Sequence, residues 1–305
     1  MSKQRGNWIW LYLLVGSIWG CSFLFIAIGN QFLTPVGVSF WRLALGGLPL
    51  LAVALAKKLP FPKERTVLFK IFLISLCMNS IPSFLFAFAE QHVSSSLAGI
   101  MNATTPIATI IMILTVFREE TPSRKVLFGL GIGLIGVMTV LAIWDGLGSN
   151  DPLSIAALIG AVTLYGIGGP YARRHLTPLK LNTEVQVSVQ VLVAAVTMLP
   201  FYLSGPLFTA DVTPVRAGAM LIFGVLGTGY AYVWYYQLMN QAGSAIANSV
   251  TYLSPVVAVL VGASILGERV TWNELAGGAI VILGAAVSQG RLDPVIARVS
   301  SLVRR

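Results

Sequence analysis

Residues 101–112 read MNATTPIATIIM, and residues 249–260 read SVTYLSPVVAVL. Each sets hydroxyls and a proline in the middle of a long apolar run. Around the first, from Ser94 to Phe117, there is no charged residue. A proline inside a helix removes one backbone hydrogen bond and crowds the preceding turn. Shifted by 149 positions, the two regions fall into register. Ser244 falls on Ser95, Ala247 on Ala98, Pro255 on Pro106, Glu268 on Glu119 and Gly278 on Gly129. The same interrupted apolar segment is therefore written twice.

Composition sets the solvent. Hydrophobic residues make up 56% of the chain and charged residues 10%; the mean hydropathy is +0.82. Soluble domains carry about 25% charge. There are too few charges here to coat a water-facing surface, so lipid is the expected solvent. A helix needs about 20 apolar residues to cross a bilayer. Ten segments qualify: 8–28, 36–56, 68–89, 94–117, 124–143, 153–172, 183–204, 215–240, 244–266 and 271–289. Helices are expected because no water satisfies backbone groups in the bilayer core.

Lysine and arginine in short loops orient such a chain. With a cytoplasmic N-terminus, the inner side holds Lys3, Arg5, Lys57, Lys58, Lys63, Arg65 and Lys70. It also holds Arg118, Arg124, Lys125, Arg173, Arg174, Lys180, Arg291, Arg298, Arg304 and Arg305. Only Arg216 and Arg269 fall outside, and Arg42 lies within a span. Both termini are thus expected in the cytoplasm. The net charge of +9 follows from this topology. Its scatter over membrane-flanking loops argues against nucleic-acid binding.

A repeat of five helices is odd, so the second copy enters the membrane inverted. The expected architecture is an all-α membrane protein of ten transmembrane helices in two inverted five-helix repeats. Residues 1–145 form the first, 150–290 the second, and 291–305 a basic cytoplasmic tail. Inverted repeats with matched broken helices mark transporters, with the substrate site near the midplane. Pro106 and Pro255 are the expected kinks.

Helical spacing proposes what faces that site. Asn248, Thr251, Tyr252 and Pro255 form one stripe, matched by Gly99, Asn102, Ala103 and Pro106. Asn79, Ser83 and Phe86 form another, mapping onto Thr228, Tyr232 and Tyr235. Each stripe admits a second reading, as helix–helix packing. Trp19 and Tyr165 are each followed by a glycine that lets another helix approach. Arg42 is either a contact for an anion or a residue that snorkels to the outer interface. Glu90 and His92, at the outer end of the third span, are candidates for protonation or simply a solvated loop.

The chemistry of an enzyme is not visible. His92 and His175 are too few and too separated for a metal site, and Cys21 and Cys77 lie in apolar segments. No cofactor is expected. A membrane-embedded transferase would need acid, base or metal ligands clustered at one interface. The expected partners are a small-molecule substrate and membrane lipid, with no nucleic acid.

The chain resembles the EamA group of the drug/metabolite transporter superfamily. The resemblance rests on IWGCSF in the first span, FWRLALGGLPLL in the second, and FAFAEQHVSSSLAGIMNATTPI across the third and fourth. FREETPSRKVLFGLGIGLIGV and QAGSAIANSVTYLSPVVAVLVGASILGERVTWNELAGGAIVILG extend it over nearly the whole chain. It implies a bacterial inner-membrane exporter of amino acids or related metabolites, working by alternating access. An uncoupled facilitator, or a lipid or nucleotide-conjugate carrier of the same fold, is the nearest alternative. Carried over by position, the cavity would be lined by Trp19, Asn79, Ser83, Asn102, Tyr165, Tyr232, Asn248 and Tyr252. Glu119 and Glu268 would pin the short connections that follow the broken helices.

Overall fold

A computed structural model of the chain describes residues 8–117, 124–140, 142, 144, 151–242 and 249–288. Those residues form helices joined by turns and short loops, with no strand among them. The first half holds α1 (Trp8–Asn30), α2 (Pro35–Ala56), α3 (Arg65–Ser75), α4 (Ile81–Ala89), α5 (Ser95–Asn102), α6 (Thr105–Met112) and α7 (Arg124–Val140). The second holds α8 (Pro152–His175), α9 (Thr183–Leu203), α10 (Pro214–Ile222), α11 (Ala231–Ala242), α12 (Ser254–Ile265) and α13 (Trp272–Ser288).

Among the described residues, seven stretches are long and apolar enough to cross a membrane: Trp8–Asn30, Pro35–Ala56, Arg65–Ala89, Ser95–Val116, Pro152–Leu179, Thr183–Leu203 and Pro214–Leu238. The remaining expected segments contain shorter helices, α7, α12 and α13, of 17, 12 and 17 residues. Large apolar side chains stand out from the bundle, among them Trp10, Phe69, Phe128, Val215 and Leu260. Such a coat would be intolerable in water and is the ordinary surface of a protein in lipid.

The helix starts follow local chemistry. Thr34 caps α2, accepting from the Gly37 N–H at 3.1 Å, with Pro35 in the first turn. Asp151 caps α8 through the Ser154 N–H at 2.8 Å, ahead of Pro152. Thr213 caps α10 ahead of Pro214. Proline is suited to the first helical position because the N–H it lacks would be unpaired there. Thr271 and Glu274 form a reciprocal cap at α13. Glu274 Oε2 accepts the Thr271 N–H at 2.8 Å, and the Thr271 hydroxyl accepts the Glu274 N–H at 3.3 Å.

Both expected kinks are breaks. The first falls at Ala103–Thr104, between α5 and α6. The second falls at Leu253, where a 3₁₀ turn (Ser249–Tyr252) meets α12. The sequence offset of 149 superimposes them. Two wide π-helical turns share that offset: Leu76–Ser80 joins α3 to α4, and Phe223–Tyr230 joins α10 to α11.

Packing pairs each half with the other. α7 lies along α13 and α2 along α9. α8 packs on α4 and α6, while α1 packs on α11 and α12. Glycine permits these approaches. A Cβ on Gly136 would lie 2.6 Å from the Val281 backbone nitrogen, and one on Gly46 would lie 2.9 Å from the Gly224 carbonyl. Lipid tails are as apolar as leucine, so close backbone packing, not hydrophobic burial, draws such helices together.

Candidate functional site

The break at Pro106 is repaired by its own neighbour. Proline has no N–H, so the Asn102 carbonyl, four residues back, loses its helical donor. The Thr105 hydroxyl donates to that carbonyl at 2.7 Å. The Met101 carbonyl, which takes the Thr104 N–H at 3.0 Å, also accepts the Thr104 hydroxyl at 2.6 Å. Ser254, at the matching place in the second half, makes no such bond; its hydroxyl is buried without a partner. The hydroxyls of MNATTPI thus satisfy freed backbone groups at a depth where water is scarce.

A cavity of about 300 Å³ lies against this break. Asn102, Thr105, Pro106, Thr109, Ile110 and Ile113 form one wall. Trp19, Ser22, Phe23 and Ile26 of α1 form another, with Arg42 of α2 and Met78 and Phe86 of the third span. Tyr165, Gly169 and Arg173 come from α8, Tyr232 and Tyr235 from α11, and Thr251 from beside the second break. Arg173 is exposed, so the cavity reaches the surface at the C-terminal end of α8.

Aromatic rings support the walls in two groups. Trp19 meets Tyr232 at 5.6 Å and Tyr235 at 5.2 Å. Phe86 meets Phe23 edge-on at 5.7 Å and stacks on Tyr165 at 6.0 Å. The glycines after Trp19 and Tyr165 do admit neighbours. A Cβ on Gly166 would lie 2.8 Å from the Ala108 backbone carbon, and one on Gly20 would meet Val257 and the Ser254 carbonyl.

Arg42 does not snorkel. Its Nε donates to Thr228 Oγ1 at 3.1 Å, and its guanidinium lies 4.4 Å over the Phe223 ring. It borders the cavity from a position fixed by the wide turn of the second half. The matching turn of the first half behaves alike: Asn79 Oδ1 accepts from Gln190 Nε2 of α9 at 2.7 Å. Asn79 is thereby spent on a helix contact and is not among the cavity residues. Ser83 is buried off the cavity with its hydroxyl unpartnered. The wide turn, Leu76–Ser80, explains Asn79, since it breaks the 3.6-residue register that linked Asn79 to Ser83 and Phe86 in one stripe. Pro255 is buried in the first turn of α12. Asn248 and the Tyr252 side chain lie outside the described residues, as does Glu119.

At the end away from Arg173, Glu90 is buried, and neither carboxyl oxygen has a hydrogen-bond partner. Burial holds this carboxyl well above the usual carboxylate range, reinforced by the charge of Glu268. Ser95, whose hydroxyl donates instead to the Phe23 carbonyl at 3.5 Å, and Arg42 oppose the shift. His92 is exposed against Phe88. Glu268 does not pin its own connection, which Glu274 does. It crosses to α5, accepting the Ser95 N–H at 2.8 Å.

Sequence reasoning missed Ser22, Thr109, Arg173 and Gln190. The polar residues Gln186 and Gln190 in an apolar span were the available signal for the last. Among the described residues no group of three or more potential metal ligands is gathered.

Comparison with known proteins places the chain in a family. The EamA-like transporter family matches residues 6–142 and 152–289. The uncharacterized inner membrane transporter YedA of Escherichia coli K12 is 30% identical over 292 residues, spanning 92% of each chain. A probable amino-acid metabolite efflux pump of Salmonella typhimurium is 25% identical over 299 residues, 94% of this chain and 95% of that one. One solved crystal structure shares the fold at TM-score 0.65 and 17% identity, covering 93% of this chain and 97% of the other. The chain is a membrane transporter and belongs to the EamA-like transporter family.

Proposed function

We propose that this transporter exports small metabolites, amino acids or related amphipathic compounds, by alternating access of the central cavity. The observation that carries the reading is the pair of helix breaks at Ala103–Thr104 and Leu253, both beside one cavity. Interrupted helices at matching places of two inverted five-helix repeats are how such carriers build a midplane site. The cross-packing of α2 with α9 and α7 with α13 supports ten spans arranged as two such repeats, residues 1–145 and 150–290. The positive-inside rule places both termini and the Arg173 end in the cytoplasm. The cavity then faces inward and is ready to load. The name of the Salmonella relative supports an amino-acid metabolite as the cargo.

In this reading Trp19, Phe86, Asn102, Tyr165, Tyr232 and Tyr235 contact the solute, and Glu90 is the group that titrates. Purified protein in liposomes should show saturable flux of metabolites from a broad panel. Asn102→Leu should lower it while leaving the melting temperature in place; no flux of any solute would sink the reading. The cavity lining holds no acidic group among the described residues, which favours an uncoupled facilitator as the second reading. A pH gradient separates the two, because only a coupled carrier concentrates solute against its own gradient.

A further inference from the structure

The cavity's charge is one-sided. Its ionised lining groups are Arg42 and Arg173, and neither aspartate, glutamate nor lysine is among the described lining residues. Arg42 has no carboxylate within ion-pair distance; the ion pair among the described residues is Lys57–Glu184, elsewhere in the bundle. Glu90 is not a lining residue and makes no bond to Arg42. Thr228 occupies only the Nε of Arg42, and Phe223 covers one face of its guanidinium plane. These contacts fix a fork with donors still to offer. A planar guanidinium matches a carboxylate with two parallel bonds.

The break adds to this. α6 begins at Thr105 and Pro106, both in the cavity wall, so the positive end of its dipole meets the same space. The remaining lining is largely aromatic and aliphatic. A volume of about 300 Å³ suits a solute with one ring.

Resting on the transporter reading above, we infer that the ligand is an organic anion. Its carboxylate is held by Arg42 and its apolar or aromatic body lies against Trp19 and Tyr165. A zwitterionic amino acid would bring an ammonium into a cavity that holds two arginines and offers it no carboxylate. There the ammonium meets like charge from both guanidiniums and no counter-charge. The cavity therefore selects aromatic carboxylates, or amino acids whose amine is masked, over free amino acids and amines.

The test is counterflow in proteoliposomes with four matched solutes: 3-phenylpropionate, its amide, phenylalanine and 2-phenylethylamine. The expected result is flux of the carboxylate about tenfold above the other three, the value of one charge-assisted bond. Arg42→Gln should abolish that preference. Because Arg42 also braces Thr228, a second variant guards against loss of fold. Asn102→Asp puts a carboxylate into the cavity and should lower anion flux while raising that of the amine. Equal or greater flux of the amine or of phenylalanine, or an unchanged preference in both variants, overturns the inference and leaves the transporter reading standing. Absence of flux for every solute, on this and on a broad metabolite panel, overturns both.

Discussion

Glu268 and Ser96 lie 172 positions apart and are joined twice. Glu268 Oε2 accepts the Ser96 backbone N–H at 3.1 Å and the Ser96 hydroxyl at 2.8 Å. Its other oxygen takes the Ser95 N–H. A carboxylate from the second half thus caps the first turn of α5 in the first half, where unpaired N–H groups and the helix dipole favour a negative charge. The contact lies at the end of the bundle opposite Arg173, and it ties the first half to the second there. Glu268→Ala should cost about 1–2 kcal/mol, as for other lost caps. Unfolding in detergent measures the loss. Thiol labelling of Ala98→Cys, fully buried beneath the cap, should quicken about tenfold when the cap is gone. An unaltered labelling rate would show that the cap does not shield this turn.

Thr105 and Pro106 form a unit whose parts should not add. Thr105→Val removes the donor to the Asn102 carbonyl and should cost about 1 kcal/mol. Pro106→Ala restores a backbone N–H for that same carbonyl. In the Pro106→Ala background Thr105→Val should therefore cost markedly less. A double-mutant cycle on thermal unfolding reads the coupling, and strict additivity would refute the repair.

Gly166 and Gly169 are three residues apart on α8 and should respond oppositely. A methyl on Gly166 meets backbone atoms of Ala108 and Thr109, at 2.8–3.0 Å, which cannot withdraw like a side chain. Gly166→Ala should destabilise by about 1–3 kcal/mol. Gly169 has nothing within 4 Å of its Cβ position. Gly169→Ala should be neutral or mildly stabilising, since alanine is the better helix former. Melting temperatures of the two variants decide.

Glu90 should make stability depend on pH. Its carboxyl is held above the usual range by burial and by the charge of Glu268. The folded state therefore favours the neutral form. That contribution is complete below the unfolded value of about 4.3 and is lost as pH rises through the raised folded value. Glu90→Gln keeps the shape without the charge. It should melt higher than the parent at about pH 8, and the gap should close toward about pH 5. Parallel melting curves across that range would contradict the assignment.

Much of this arrangement is legible in the residues themselves. Pro106 and Pro255 locate both breaks because proline acts on its own turn. Trp19–Gly20 and Tyr165–Gly166 locate close helix contacts because a missing Cβ is a local property. The expectations that failed depend on which helix comes alongside. Of the two readings of Arg42, snorkelling fails because the wide turn Phe223–Tyr230 places Thr228 and Phe223 beside it. Asn79 was expected in the cavity, but its own wide turn rotates it toward Gln190. Glu268 was expected to serve its own connection, and only the partner half reveals the N-terminus it caps. Nor does a uniform 100° per residue tell which aromatics of segment 215–240 face inward. The structure turns Tyr232 and Tyr235 to the cavity and pairs Tyr230 with Trp234 at 5.7 Å.

The central claim is that solute passes through the cavity beside Asn102 and Pro106. The direct measurement is flux after that space is plugged. With Cys21 and Cys77 replaced by alanine, Thr109→Cys places one thiol in the cavity wall, and Gly218→Cys, with open space around it, serves as the control. Both are treated with a bulky maleimide and reconstituted. Flux should vanish for the labelled Thr109→Cys protein and persist for the labelled control. Undiminished flux through a fully labelled Thr109→Cys protein would contradict the claim.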